Sequence, residues 1–418
     1  MSTLRTNLLA AATGAALAYV LPAIYRRLRP STAASTHAVR GGSSHVNVPH
    51  DELSRLVAAC LEKAGTTPKH AELVASVLVY ADSRGIPSHG VNRADFYCTE
   101  LERGLVDGQA EPVVEKDEGC CAVVNGQNGL GAVCSARAIQ LAIDKARTLG
   151  VGWVVCRGSN HFGAAGFWAQ QALREGLLAF SFTNTAPFMV PSGGSTRAVG
   201  TNPICVMAPA ANDSYQLDMA TTTVPIGKVE VMDRLGKGLP RGWGVDRDGR
   251  PCTDAAEVVV GGGLTPLGGY AETAGYKGYG LGMLVEVLSA VLSGAAVGPN
   301  VPSWNAHRGK PMDLGHCFIV LDPKRFADGF DERLGSYLAQ MRGLPGQVLV
   351  PGDPEREYER AAAAKGVQLH TNVAKSLRAL AARLGVDEKL VPAPLAQLDA
   401  TAVRGSLMER EGSGLAKK

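Results

Sequence analysis

The stretch from Val151 to Glu175 constrains the fold of this 418-residue chain more than any other. Val151 to Cys156 is a short apolar run with β-branched content, the pattern of a strand. The loop Gly158-Ser159-Asn160-His161-Phe162-Gly163-Ala164-Ala165-Gly166 follows at once, and a helical pattern runs from about Ala165 to Glu175. Strand, glycine loop and helix in that order build an α/β layer. Free N–H groups in such a loop can cradle a diphosphate. The spacing is not G-x-G-x-x-G, however, and no acidic residue follows where a dinucleotide fingerprint needs one. A structural turn is an equal reading of the loop, and a satisfied loop histidine an equal reading of His161.

The flanking segments extend this pattern. Asp51 to Ala64 places Leu53, Leu56, Val57, Cys60 and Leu61 at helical spacing, closed by Gly65. Thr67-Pro68 reads as the cap and first residue of a helix through Ala81. Asp82 to Pro87 is a loop, and Ser88 would cap a third helix ending at Gly104. Val113 to Asn125 reads as strands with a turn, and Ala132 to Leu149 as a helix. Leu178 to Phe182 is a strand, and residues 199–232 carry more strands. Lys277 to Leu292 looks like a long buried helix, Phe318 to Leu321 like a strand, and the rest to Leu384 is largely helical.

Charge is uneven only at the start. The first 50 residues hold Arg5, Arg26, Arg27, Arg29 and Arg40 but no lysine, aspartate or glutamate, whereas the remainder is nearly neutral. A neutral body offers no nucleic-acid surface. Residues 8–25 are nearly all apolar or small between arginines, so residues 1–45 form a leader. It reads as a mitochondrial presequence, with a membrane anchor at 8–25 or an inert extension on a cytoplasmic protein as alternatives. Residues 31–44 read as a linker, the fold begins near Val46, and the tail 403–418 is loose. The nine cysteines show no C-x-x-C pair and no metal spacing, which indicates free thiols, a reducing compartment and no metal. Adjacent Cys120 and Cys121 read as a structural strand pair rather than a redox couple.

The chemistry sits in Ser88-His89-Gly90-Val91-Asn92-Arg93. On a helix, residues four apart share a face, so His89 and Arg93 would present a proton-transfer group beside a fixed cationic fork. A small 2-oxo or 2-hydroxy acid needs both: one moves the hydroxyl proton, the other holds the carboxylate. A solvated helix face is the bland alternative. Thr201-Asn202-Pro203, Asp218-Met219-Ala220-Thr221 and Lys277 are ambiguous alone, and Pro351-Gly352-Asp353-Pro354-Glu355 is a turn.

Taken in order, these segments resemble the malate/L-lactate/L-sulfolactate dehydrogenase family over roughly residues 51–384. The carriers are Asp82 to Arg93, the Gly158 loop, Gly200-Thr201-Asn202-Pro203, Leu217 to Thr221, Gly227-Lys228-Val229, Leu264 to Gly269, Gly275 to Gly280 and Pro351-Gly352-Asp353. The resemblance implies a non-Rossmann, mixed α/β cofactor domain (121–324) beside a helical domain built from both ends of the chain (46–120 and 325–402). It also implies a homodimer using NAD, with NADP possible. By the same resemblance His89 is the proton donor/acceptor, with Ser88 and His161 in the catalytic set, and Arg93 holds the substrate carboxylate. Thr201 contacts substrate, and His161, Phe162, Gly163, Asp218, Met219, Ala220, Lys277, Gly352 and Asp353 lie on the cofactor side. The imine-reductase branch carries an aspartate in the Gly227-Lys228-Val229 region, where this chain has Lys228; that disfavours an imine substrate, fits the malate- or sulfolactate-like branches, and suggests a second cation for a dianion, with malate the favoured substrate. Lactate, sulfolactate or another 2-oxo acid is the runner-up. A catalytically inactive nucleotide-binding or scaffold protein would have lost site residues, yet His89, Arg93, His161 and Lys277 are all present.

Overall fold

The computed structural model describes residues 45–234, 236–302 and 310–399. The leader up to residue 44 and the tail 403–418 therefore lie outside the described residues. The first strand, β1 (His45–Val48), begins where the fold was expected to start. Helices α1 (His50–Lys63) and α2 (Pro68–Ser83) follow. The α1 stripe of Leu53, Leu56, Val57, Cys60 and Leu61 is buried as its spacing dictates. Thr67 caps α2 by accepting the His70 N–H at 3.2 Å, with Pro68 at the first helical position.

The third helix does not begin at Ser88. Pro87–His89 is one 3-10 turn and Val91–Arg93 another, separated by Gly90 in extended conformation, and α3 (Ala94–Glu102) starts only after them. The cause is local. The Asp82 carboxylate accepts the Val91 N–H at 2.7 Å, and a Cβ on Gly90 would lie 2.1 Å from that carboxylate. The turn wraps around Asp82 instead of continuing as a helix, so His89 and Arg93 share no helix face.

The central layer is one seven-stranded sheet ordered β2-β3-β4-β11-β5-β6-β7. Its strands are β2 (Val113–Glu118), β3 (Cys121–Asn125), β4 (Val151–Ser159), β5 (Leu178–Thr183), β6 (Ile204–Ala210), β7 (Asp213–Met219) and β11 (Leu314–Leu321). Only β3 and β4 run parallel, joined across the sheet by α4 (Gly131–Leu149); all other neighbours are antiparallel. This excludes the parallel doubly wound arrangement. Strand β4 runs past Cys156 to Ser159 because Ser159 pairs with Leu314 and the Asp313 carboxylate takes the Gly158 N–H at 2.8 Å. Gly158 and Ser159 thus belong to the sheet rather than to a phosphate loop. The sheet begins at Val113, ahead of the division expected at residue 120. Helix α5 (Ala165–Arg174) completes the unit that the sequence marked.

Residues 199–232 hold two strands, but they end in α6 (Ile226–Arg234), a helix rather than a strand. A small three-stranded sheet of β8 (Gly244–Val245), β9 (Pro251–Cys252) and β10 (Gly263–Leu264) lies beside α7 (Ala255–Val260). Helix α8 (Gly275–Glu286) ends in a π turn, Val287–Val291. It is not buried all round: Tyr276, Met283, Leu284, Val287 and Val291 are exposed. Glycines make its inner face, and a Cβ on Gly278 would sit 2.2 Å from the Leu267 carbonyl. That close backbone approach turns the larger side chains outward.

Helices α9 (Phe330–Arg342) and α10 (Asp353–Lys365) are tied to β7 and the loop before it. The Ala211 N–H donates to Asp331 and the Gln216 N–H to Pro351. Strand β12 (Val367–His370) pairs antiparallel with β1, and α11 (Thr371–Arg383) and the short α12 (Ala393–Ala396) end the described chain. One buried apolar cluster runs from Leu53 and Val77 through Ile139, Phe162, Trp168 and Phe318 to Leu377. Among the described residues no helix is long and apolar enough to cross a membrane.

Candidate active site

Two segments distant in sequence bring two imidazoles together. His89 closes the first 3-10 turn, and His161 follows the end of β4. Their rings stack at 5.6 Å between centroids with 17° between planes. The Ser88 hydroxyl lies 2.8 Å from His89 Nδ1. Ser88 therefore orients the imidazole through Nδ1 and leaves Nε2 outside that contact, in place of the helix cap read from the sequence. Arg93 Nε–H donates to the Ser88 carbonyl at 2.7 Å, which fixes where its guanidinium fork points.

Behind His161 stands Tyr97, a residue that motif reading missed. Its hydroxyl is 2.5 Å from His161 Nδ1, and the Gly163 N–H donates to the same nitrogen at 3.3 Å. A nitrogen that accepts from an amide carries no proton, so Tyr97 donates and the ring proton belongs on Nε2. The signal was present in the sequence: Tyr97 lies four residues beyond Arg93, one turn along α3. Asp82 was also missed, although it opens the quoted motif and anchors the turn between His89 and Arg93.

Burial and mutual charge set the protonation states. Burial, with Arg93 nearby, pushes His89 down to about 4, so its imidazole is neutral at pH 7. His161 is held well below the ordinary histidine value by burial, then by His89, Arg93 and His316. Burial raises Asp82 to about 7, against the pull of the Val91 N–H. Adjacent displaced titrations of this kind make the cluster a candidate for proton transfer.

The glycine loop serves geometry. The Phe162 side chain is in the core, stacked at 4.7 Å on buried His316, so only its backbone faces the site segment. Gly163 takes φ +79°, and a Cβ there would meet Val77 at 2.2 Å. The first N–H groups of α5 are not open to a diphosphate. The Asp218 carboxylate accepts the Gly166 N–H at 2.8 Å and occupies that helix end. Burial pushes Asp218 up to about 6.

The other expected residues fall into four places. The Thr201 N–H donates to Thr185 Oγ1 at 2.9 Å, and its carbonyl accepts the Thr221 N–H at 2.9 Å. Next to it Asn202 Nδ2 donates to Gly282 O at 3.0 Å and to buried Glu286 at 2.9 Å. The Thr201 segment is thereby locked to α8, which carries exposed Lys277. Lys228 is exposed on α6, one residue after Gly227, where a Cβ would lie 3.9 Å from the Arg93 guanidinium. Met219 and Ala220 are half-buried at the end of β7. Asp353 belongs to an ionic cluster: Arg342 grips it through two nitrogens at 3.0 and 2.8 Å, Arg356 lies at 2.6 Å, and Asp213 joins through Arg342 at 2.6 Å. Its carboxylate is spent on holding the loop, while Gly352 (φ +100°) turns the chain against Gln216.

Comparison with known proteins places the chain in a family. The family model described as malate/L-lactate dehydrogenase matches residues 48–378. Malate dehydrogenase of Pyrococcus horikoshii is 36% identical over 352 residues, covering 82% of this chain and 97% of the relative. Its solved structure superposes with a TM-score of 0.76 at 34% identity, over 82% of this chain and 97% of that one. An Escherichia coli ureidoglycolate dehydrogenase (NAD(+)) is 34% identical over 78% of this chain and 93% of its own length. A (2R)-3-sulfolactate dehydrogenase (NADP(+)) of Chromohalobacter salexigens is 34% identical over 79% of this chain and 96% of its own length.

Proposed function

The chain belongs to the malate/L-lactate dehydrogenase family, and from there we propose that it interconverts malate and oxaloacetate through His89 and Arg93. It is an oxidoreductase acting on the CH–OH group of a 2-hydroxy acid with a nicotinamide cofactor. The observation that carries the site assignment is the His89–His161 stack, held by Ser88 and Tyr97 beside Arg93. The bound nicotinamide supplies the hydride acceptor or donor for C2 of the substrate.

The chain's own groups do the rest. Neutral His89 Nε2 takes the hydroxyl proton in the oxidation direction and returns it in reduction. Arg93 holds the carboxylate bidentately. His161, its proton directed to Nε2, stacks against His89 and keeps that ring in register. Lys228, next in sequence to Gly227, is the second cation for a dianion. The donor set fits a nicotinamide dinucleotide: Asp218, engaged through Oδ2 alone, has Oδ1 for a ribose hydroxyl, and exposed Lys277 offers a cation to a phosphate. Thr201, the 219–220 backbone and the Gly163 and Gly352 turns shape the rest, with Asp353 holding its loop from behind.

Three further readings belong to the proposal. NAD is the cofactor, with NADP as the alternative because relatives of both names match equally well. The exposed stripe Tyr276, Met283, Leu284, Val287 and Val291 supports a homodimer, since a second copy would cover it. The acid-free, arginine-bearing leader supports import into mitochondria.

The deciding assay follows absorbance of reduced nicotinamide. The full-length chain is given oxaloacetate, pyruvate, sulfopyruvate and related 2-oxo acids with NADH or NADPH, alongside His89→Ala. Turnover fastest on oxaloacetate and lost in the variant is the expected result. Faster turnover on another acid overturns malate, and equal turnover in His89→Ala overturns the site.

A further inference from the structure

The β2–β3 hairpin closes through a two-residue turn, Gly119-Cys120, with Glu118 paired to Cys121 across it. Gly119 adopts φ +54° at the first turn position, the place a type II′ hairpin gives to glycine. Lys145 pins the turn: its ammonium donates to the Gly119 carbonyl at 2.7 Å and pairs with Asp117. On this fixed turn the Sγ atoms of Cys120 and Cys121 lie 3.8 Å apart. Cys121 is exposed and Cys120 half-buried, whereas the other seven cysteines are buried. The second thiol contact, Cys134 with Cys156, is sealed in the core.

Two thiolates bound at about 2.3 Å to one pyramidal, trivalent soft centre, with an angle a little above 90° between them, stand roughly 3.4 Å apart. The observed 3.8 Å needs a closure of only a few tenths of an ångström to become a chelate. Zinc would need four ligands, and no group of three or more His, Cys, Asp and Glu gathers anywhere among the described residues. A centre satisfied by two thiols fits instead.

We propose that Cys120 and Cys121 form a dithiol site that captures a trivalent organoarsenical or a chemically equivalent thiophilic centre. With an aryl arsenous dihydroxide, two S–H and two As–O bonds break, two S–As and two O–H bonds form, and two waters leave. No electrons are transferred. The site is remote from the dehydrogenase chemistry. Cys121 pairs with Trp153 near the start of β4, and Ser159 ends that strand roughly 20 Å away at about 3.3 Å per residue. Capture therefore leaves turnover unchanged.

The test uses the full chain and phenylarsine oxide, read by intact mass and by titration of solvent-reactive thiols. One adduct per chain is expected, with two thiols lost, reversal by dithiothreitol and none by an equal concentration of a monothiol. Replacing either cysteine, Cys120→Ser or Cys121→Ser, raises the half-saturating concentration at least about a hundredfold, because the second bond is no longer intramolecular. Both changes lie at the tip of the β2–β3 hairpin, and unchanged dehydrogenase turnover certifies folding. Capture unaffected by either replacement, equal reversal by monothiol, or no adduct overturns the proposal.

Discussion

Gly131→Ala tests whether the close approach of α4 to the His161 loop positions the site. Gly131 opens α4, and a Cβ there would lie 2.1 Å from the Asn160 carbonyl oxygen and 2.5 Å from that of His161. Ordinary contact begins near 3.4 Å, so one backbone must retreat by about 1.3 Å. The loop has little room to slide, because Asn160 Nδ2 donates to the carbonyls of Asn128 at 3.3 Å and Gly129 at 2.9 Å. Overpacking of this kind costs about 1–3 kcal/mol, offset by up to about 1 kcal/mol from replacing a helical glycine. Net destabilisation is about 1–2 kcal/mol. A 1 Å misplacement near the chemistry costs on the order of a hundredfold in rate, or about 2.7 kcal/mol of barrier. Urea unfolding and kcat/KM read the two effects separately. Gly335→Ala in α9 is the control: its Cβ would find ordinary contact at 3.4 Å, so it stabilises by about 0.5–1 kcal/mol and leaves turnover alone. A Gly131→Ala protein as stable and as fast as the parent would refute the reasoning.

His89 gives a pH signature. With its value near 4, kcat/KM for hydroxy-acid oxidation rises through that pH and then levels, whereas kcat/KM for 2-oxo-acid reduction falls about tenfold per unit above it; a reduction profile flat from pH 5 to 8 contradicts the assignment. Arg93→Lys keeps the charge but loses the bidentate fork, so KM for the acid rises about ten- to a hundredfold with a smaller change in kcat, measured by initial rates. Asp82 titrates higher folded, near 7, than unfolded, so its contribution to stability is complete below about 4 and lost as pH rises through 7. The Asp82→Asn protein should lack that component, and its unfolding midpoint should gain on the parent's between pH 4 and pH 8.

Local pattern sufficed wherever one element carried its own signal. The α1 stripe, the Thr67-Pro68 start of α2 and the β2–β3 hairpin all lie where periodicity and caps put them. Pairings across long sequence distances were not legible. No feature of Leu314–Leu321 announces that it slots between β4 and β5. The glycines of α8 gave an apolar run whose larger members face outward, because burial there depends on backbone approach to Leu267. At the site, His89, Arg93 and His161 were legible as residue types. The 3-10 break at Gly90 was not, since it depends on a carboxylate eight residues earlier.

The ribbon of β1 and β12 joins His45 to His370, partners roughly 325 residues apart in the chain. At about 5–20 residues per second, the ribosome exposes the first strand for roughly 15–65 s before its mate exists. During synthesis β1 is an open edge, and the helices after it wait on a strand still to be made. Closure of that ribbon is a late event that only a finished chain can complete, so premature release before Val367 leaves a body with a ready strand and no partner for it.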